Sequence, residues 1–202
     1  TLLFSLIGNH KDVRKAVSSD FKTVGDIIYL VGETHQELGA SELAFMLHDE
    51  TNGKSGIGGQ VPQIDTTRNL ALYRSLTNSM SNGLVASAHD CSDAGLAAAL
   101  TECCFGCDSG AVLEISNLFN HNKNLDTWGA LFGESLGRIL VSVKPQDSQL
   151  FEESMMNHEC NKIGKVTSND MVIFNNRDQI ILSANVKKLR DAWKGTLNGG
   201  NN

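Results

Sequence analysis

Basic clusters, long apolar runs, proline-rich linkers and a paired cysteine framework are all missing from this 202-residue chain, and each absence closes off a class of protein. The formal net charge is -6 and no Lys/Arg cluster interrupts it. A nucleic-acid groove holds phosphate backbones by concentrated positive charge, so that class is excluded while free nucleotides are not. No apolar run approaches the roughly 18 residues that a membrane-spanning helix needs, so no membrane partner is expected. Only 2 prolines occur and no Ser-rich stretch divides the chain; its length suffices for one sizeable core, and a single domain over 1–202 is expected, with 198–202 a frayed polar tail. Cys91, Cys103, Cys104, Cys107 and Cys160 are odd in number and three crowd one predicted helix, which argues for reduced thiols and a cytoplasmic setting. The His residues are scattered, so spacing builds neither a metal cluster nor a Ser-His-Asp set. The first residue is Thr1 rather than Met, and no positively charged leader follows; this reads as a piece of a longer polypeptide.

What is present is an ordinary globular balance, 41% hydrophobic and 20% charged, arranged in alternating strand-like and helix-like segments. Strands are predicted at 2–7, 27–31, 84–88, 111–115, 138–143, 171–174 and 179–183. Helices are predicted from Ser41 through Ala44, Phe45 and Leu47; after the cap Asp65, with Leu70, Tyr73, Leu76 and Met80 on one stripe and a stop near Gly83; from the cap Asp93 to about Cys104; and over 125–132, 147–157 and 186–196. The last presents Leu189, Trp193 and Leu197 at spacing four. This order predicts an α+β (α/β layered) domain, a mixed sheet covered by helices.

One loop stands out chemically. His89-Asp90-Cys91-Ser92-Asp93-Ala94-Gly95-Leu96 sets two carboxylates, a hydroxyl and a small-residue turn between a strand and a helix. Such oxygen donors suit a hard cation and its phosphates. Asp93 is placed to cap the helix, which leaves Asp90 for the ion. Phe132-Gly133-Glu134-Ser135-Leu136-Gly137-Arg138 precedes a strand, where Glu134 and Ser135 either bond hydroxyls or phosphate oxygens or form a solvated turn. In Gly32-Glu33-Thr34-His35-Gln36-Glu37-Leu38-Gly39-Ala40-Ser41-Glu42 the Ser41 hydroxyl either faces a ligand or caps a helix, at even weight. Gly53-Lys54-Ser55-Gly56-Ile57-Gly58-Gly59 ends like a phosphate-binding loop, but His48 stands where the first glycine belongs and Pro62 follows, so a plain connection is favoured. Cys104-Phe105-Gly106-Cys107 has CxxC spacing without a second pair, which favours buried, inert thiols.

The segments 32–42, 89–96 and 132–143, in this order and at these separations, give the chain a resemblance to the phosphoribosylformylglycinamidine synthase (formylglycinamide ribonucleotide amidotransferase) family, running from Ile7 through Trp193. The similarity is to its C-terminal aminoimidazole ribonucleotide synthetase-like domain. The resemblance implies ATP- and glutamine- or ammonia-dependent conversion of formylglycinamide ribonucleotide to its amidine in purine biosynthesis. The catalytic His and nucleotide-binding Lys would then lie in partner N-terminal domains, and the chain alone would be inactive. It further implies ATP and magnesium as cofactors, Asp90 on the metal, and Ser92 on nucleotide phosphate at an auxiliary, mainly structural site. Glu134 and Ser135 match a Glu-Ser-Gln element that contacts substrate in the enzyme's other half, with Leu136 in place of the Gln. A glutaminase subunit and a small accessory subunit are the implied partners. Where relatives carry Gly-Gly-Ser-Glu and Ser-Asp-Gly-Gly-Leu, this chain has Ala40 and Ala94; a positive φ there would carry a penalty. Two other readings remain: another superfamily member (aminoimidazole ribonucleotide synthetase, selenophosphate synthetase or thiamine-phosphate kinase), or a non-catalytic interaction module.

Overall fold

A computed structural model of the chain describes residues 3–10, 12–50, 58–107, 109–120, 122–168, 170–175 and 179–195. Seven strands, β1 (Ile27–Val31), β2 (Ser87–Asp90), β3 (Gly110–Glu114), β4 (Ile139–Val143), β5 (Cys160–Thr167), β6 (Met171–Asn175) and β7 (Gln179–Ala184), alternate with six α-helices. The helices are α1 (Glu42–Glu50), α2 (Thr66–Ser81), α3 (Gly95–Cys103), α4 (Thr127–Phe132), α5 (Ser148–Ser154) and α6 (Val186–Gly195). The strands form one sheet in the order β2-β4-β1-β5-β3-β6-β7. Every pairing is antiparallel except β3 with β6, so the sheet is mixed and the layered α+β expectation holds.

Alternation along the strands separates two cores. Ile28, Leu30, Leu113, Leu140 and Ile173 point to one face, where Leu96 and Leu100 of α3, Ala130 and Leu131 of α4 and Val186 of α6 meet them. Tyr29, Val31, Val141 and Val143 point to the other and pack with Leu72 and Leu76 of α2 and with Phe151 of α5. Burial of apolar area at about 25 cal/mol per Å² is the principal attraction holding these layers together.

Strand β5 is absent from the sequence expectation, and its pairing explains why. Ile28 opposes Gly164 while Tyr29 opposes Lys162, so Ile163 is an extra residue in the ladder. This bulge re-phases the strand and buries Ile163 and Val166 together, at a spacing of three rather than two. The strand tolerates Gly164 for a steric reason: a Cβ there would lie 2.1 Å from the Val112 carbonyl oxygen of β3.

Four other expectations change. Residues 3–7 form no strand, since no ladder partner faces them among the described residues, and Leu3, Phe4, Leu6 and Ile7 are exposed. The strand expected at 84–88 is shifted to Ser87–Asp90, because Leu84 and Val85 turn into the second core instead. In α2, Asp65 caps as expected, accepting from the Arg68 amide at 2.9 Å, but the buried stripe is Leu72, Leu76 and Ser79. Leu70 and Tyr73 face outward, because packing on β1 and β4 fixes the helix phase. Asp93 does not cap α3. The cap position is Ala94, in left-handed backbone with no side-chain cap bond. Leu189 of α6 reaches the first core and Trp193 packs on Phe105 at 5.7 Å, while Leu197, the 198–202 tail and residues 53–57 of the glycine-rich segment lie outside the described residues.

Candidate functional site

Sheet order brings the ligand-type loop together with the Glu-Ser loop. Strand β2 pairs with β4, Asp90 opposite Ile139, and the Cys91 amide donates to the Arg138 carbonyl at 2.9 Å. Residues 91–94, leaving β2, therefore lie beside residues 133–138, approaching β4. A cleft of about 540 Å³ opens between them, its lining including Asp90, Ser92, Asp93, Glu134, Tyr73 and Leu136.

Asp90 sits at its mouth, with its side chain 72% exposed. The Ser92 hydroxyl donates to the Asp90 carboxylate, and this bond is the leading cause that holds the carboxyl below the usual range. Asp90 is thus anionic at neutral pH. His89 steadies the strand end: one ring nitrogen lies 2.7 Å from the Asp90 carbonyl oxygen and the other 2.9 Å from Glu102 of α3. Cys91 is buried, and burial pushes its thiol up to about 11, which leaves it unreactive at neutral pH.

Glu134 and Ser135 are engaged with backbone. One Glu134 carboxylate oxygen accepts the amide of Ala94 at 2.8 Å and the amide of Glu42 at 2.9 Å. Ser135 is 1% exposed; its hydroxyl accepts from the His35 amide at 3.0 Å and donates to the His35 carbonyl at 3.4 Å. Arg138, also 1% exposed, donates to the carbonyls of Gly133 and of Ala130, the latter at 3.3 Å, at the C-terminal end of α4. Burial lowers its pKa, and the charges of Glu37 and Glu134 oppose that shift. Composition and spacing assigned Arg138 no role, because no local pattern marks a buried charge.

Ser41 caps α1. Its hydroxyl is buried, accepts from the Ala44 amide at 3.2 Å and donates to the Leu38 carbonyl at 2.8 Å. Cys104 is buried and its thiol is pushed up to about 12 by burial, whereas Cys107 is exposed and so departs from the expected buried pair. The helix ends at Cys103 and the chain turns outward before Cys107.

Among the described residues, no group of three or more His, Cys, Asp and Glu side chains could hold a metal by itself. Magnesium seldom needs such a cage: it keeps several waters and joins one or two carboxylates to phosphate oxygens. A single exposed, anionic Asp90 beside a hydroxyl fits an ion that arrives with phosphate.

The only non-glycine residues with positive φ among the described ones are Ala40 at 60° and Ala94 at 57°. Left-handed backbone disfavours a residue carrying a Cβ by about 1–2 kcal/mol, and part of that is recovered because alanine restricts the unfolded chain more than glycine. Ala40→Gly and Ala94→Gly are each expected to raise stability by about 0.5 kcal/mol. Urea denaturation midpoints check this, and a loss on either substitution contradicts it.

The sheet, the two helical layers and a cleft built from loops at the strand ends define a layered α+β domain class. Residues 23–174 match the family described as AIR synthase related protein, C-terminal domain, and the chain belongs to that family. Among solved structures it is similar to T. maritima PurL complexed with FGAR, at 19% identity and a TM-score of 0.75 over 87% of this chain and 29% of that one. It is also similar to phosphoribosylformylglycinamidine synthase II from Thermotoga maritima, at 19% identity and a TM-score of 0.69 over 86% of this chain and 27% of that one. T. maritima PurL is also known complexed with ATP. E. coli HypE, a hydrogenase maturation protein, matches at 14% identity and a TM-score of 0.57, over 85% of this chain and 52% of that one. The chain thus spans under a third of the length of the Thermotoga proteins. No helix of the described residues is long and apolar enough to cross a membrane.

Proposed function

We propose that this chain is the C-terminal domain of a cytoplasmic phosphoribosylformylglycinamidine synthase, where it forms one wall of a nucleotide cleft and packs against N-terminal domains of the same enzyme. The observation that carries the reading is the meeting of Asp90, Ser92 and Glu134 in one cleft, with Asp90 exposed and anionic at its mouth. Asp90 would hold a magnesium ion arriving with the nucleotide, and the Ser92 hydroxyl would contact phosphate. When bound, the ion neutralises phosphate charge that would otherwise be repelled by an acidic protein. Glu134 borders the cleft, while Ser135, buried on the His35 backbone, supports that loop from beneath. In the complete enzyme ATP transfers its γ-phosphoryl group to the amide oxygen of formylglycinamide ribonucleotide and leaves as ADP. Ammonia from a glutaminase subunit, docked through a small accessory subunit, then displaces that oxygen as inorganic phosphate and leaves the amidine. The chain by itself makes no amidine, and turnover by the isolated chain at the rate of the complete enzyme overturns this reading.

Asp90→Asn, made in the full-length protein, is expected to weaken magnesium-dependent ADP binding by about tenfold or more, the weight of one hydrogen bond or ion contact to a charged group. Titration calorimetry with and without magnesium measures it. Equal affinities in the two proteins remove the metal assignment.

A further inference from the structure

We infer that Glu134 is a positioning residue: its carboxylate locks the turns on either side of it, at 40–42 and at 92–95, into one unit, and the Asp90–Ser92 ligand edge is presented only in that locked state. The lock rests on geometry alone; its consequence for a ligand rests on the nucleotide reading above.

A single oxygen of Glu134 receives two backbone donors that no regular structure satisfies. Glu42 is the first residue of α1 and Ala94 the cap residue of α3. Their amides come to that oxygen at 2.9 and 2.8 Å. First-turn amides lack intrahelical acceptors, and a carboxylate near two helix N-termini also meets the positive ends of two dipoles. Each turn carries a left-handed alanine, Ala40 or Ala94, and therefore stays in this conformation only while its surroundings hold it there. Ser41 caps α1 through Ala44, but α3 has no side-chain cap of its own. Glu134 supplies what α3 lacks and joins it to α1.

The clamp cannot swing, because its own backbone is held on both sides. The Glu134 amide donates to the Glu37 carbonyl at 3.2 Å. Immediately before it, the Gly133 carbonyl is gripped by buried Arg138, and immediately after it the Ser135 hydroxyl is bonded to His35. Ser92 lies two residues from the clamped Ala94, so the geometry of the ligand edge is set by an acceptor in a different loop.

Amide hydrogen exchange on the full-length protein tests this, with Glu134→Gln retaining an acceptor oxygen and Glu134→Ala removing it. The expected result is that Glu134→Ala speeds exchange at both the Ala94 and Glu42 amides by about tenfold or more, while Glu134→Gln restores protection at both. Magnesium-ADP affinity should fall and recover with the same pair of variants. Exchange that opens at only one amide, or Glu134→Gln behaving as Glu134→Ala does, overturns the lock. Affinity that ignores Glu134→Ala while both amides open overturns its link to the ligand edge. If the wild-type protein binds no magnesium-ADP, the nucleotide reading falls and exchange alone decides the lock. Should Glu134→Ala fail to fold, Glu134→Asp serves instead, its carboxylate one methylene too short to hold both amides: faster exchange at the Ala94 and Glu42 amides together supports the lock, and exchange unchanged at either one refutes it.

Discussion

Replacing Arg138 with alanine is expected to lower the unfolding free energy by about 3–5 kcal/mol, from the two buried carbonyls left without a donor and the cavity that opens. The guanidinium is 1% exposed, and no carboxylate lies within ion-pair distance of it among the described residues. Its charge is met instead by the Ala130 and Gly133 carbonyls at the C-terminal end of α4, where helix dipoles favour a cation. Alanine would leave both carbonyls without that donor and open a cavity beneath the residue 133–135 loop. Arg138→Met separates the two contributions. It keeps the volume and removes the buried charge, so its loss should be the smaller of the two. A loss below about 1 kcal/mol for alanine, by urea denaturation, contradicts this account.

Gly95→Ala is expected to cost about 3 kcal/mol or more. The backbone there has φ +64°, and an added Cβ would stand 2.3 Å from the Gly133 carbonyl oxygen and 3.1 Å from the Arg138 guanidinium. Neither atom can yield easily, since they hydrogen-bond each other. Its neighbour Ala94 is also left-handed, yet glycine at 94 should stabilise while alanine at 95 destabilises. The opposite signs at adjacent positions follow from crowding at one and strain alone at the other. Matched denaturation curves of the two variants test the pair, and a Gly95→Ala midpoint within error of wild type contradicts the clash.

These effects also mark where sequence reasoning stops. Strands β1, β3, β4, β6 and β7 are legible because apolar runs or alternation bounded by polar turns state their burial directly. Strand β5 is not, since Ile163 sits in a bulge and breaks the period on which the reading depends. The cap at Asp65 is a local interaction three residues long and was readable. The failed cap at Asp93 was not, because the acceptor that serves α3 comes from Glu134, far along the chain. For the site, the Asp90–Ser92 pair is written in one loop. Strand pairing, which local residue types do not specify, brings it to Glu134, and nothing local tells whether the oxygens of Glu134 and Ser135 face solvent, a ligand or another loop's amides.

The interior position of β1 bears on how the polypeptide emerges from the ribosome. Its ladder partners on either side are β4 (Ile139–Val143) and β5 (Cys160–Thr167). Both are synthesised long after β1 itself, and closing such distant pairings is slow. Until translation reaches the second of them, the nascent chain carries an apolar strand with at least one unpaired edge, the kind of surface that chaperones shield and that aggregates when left unattended.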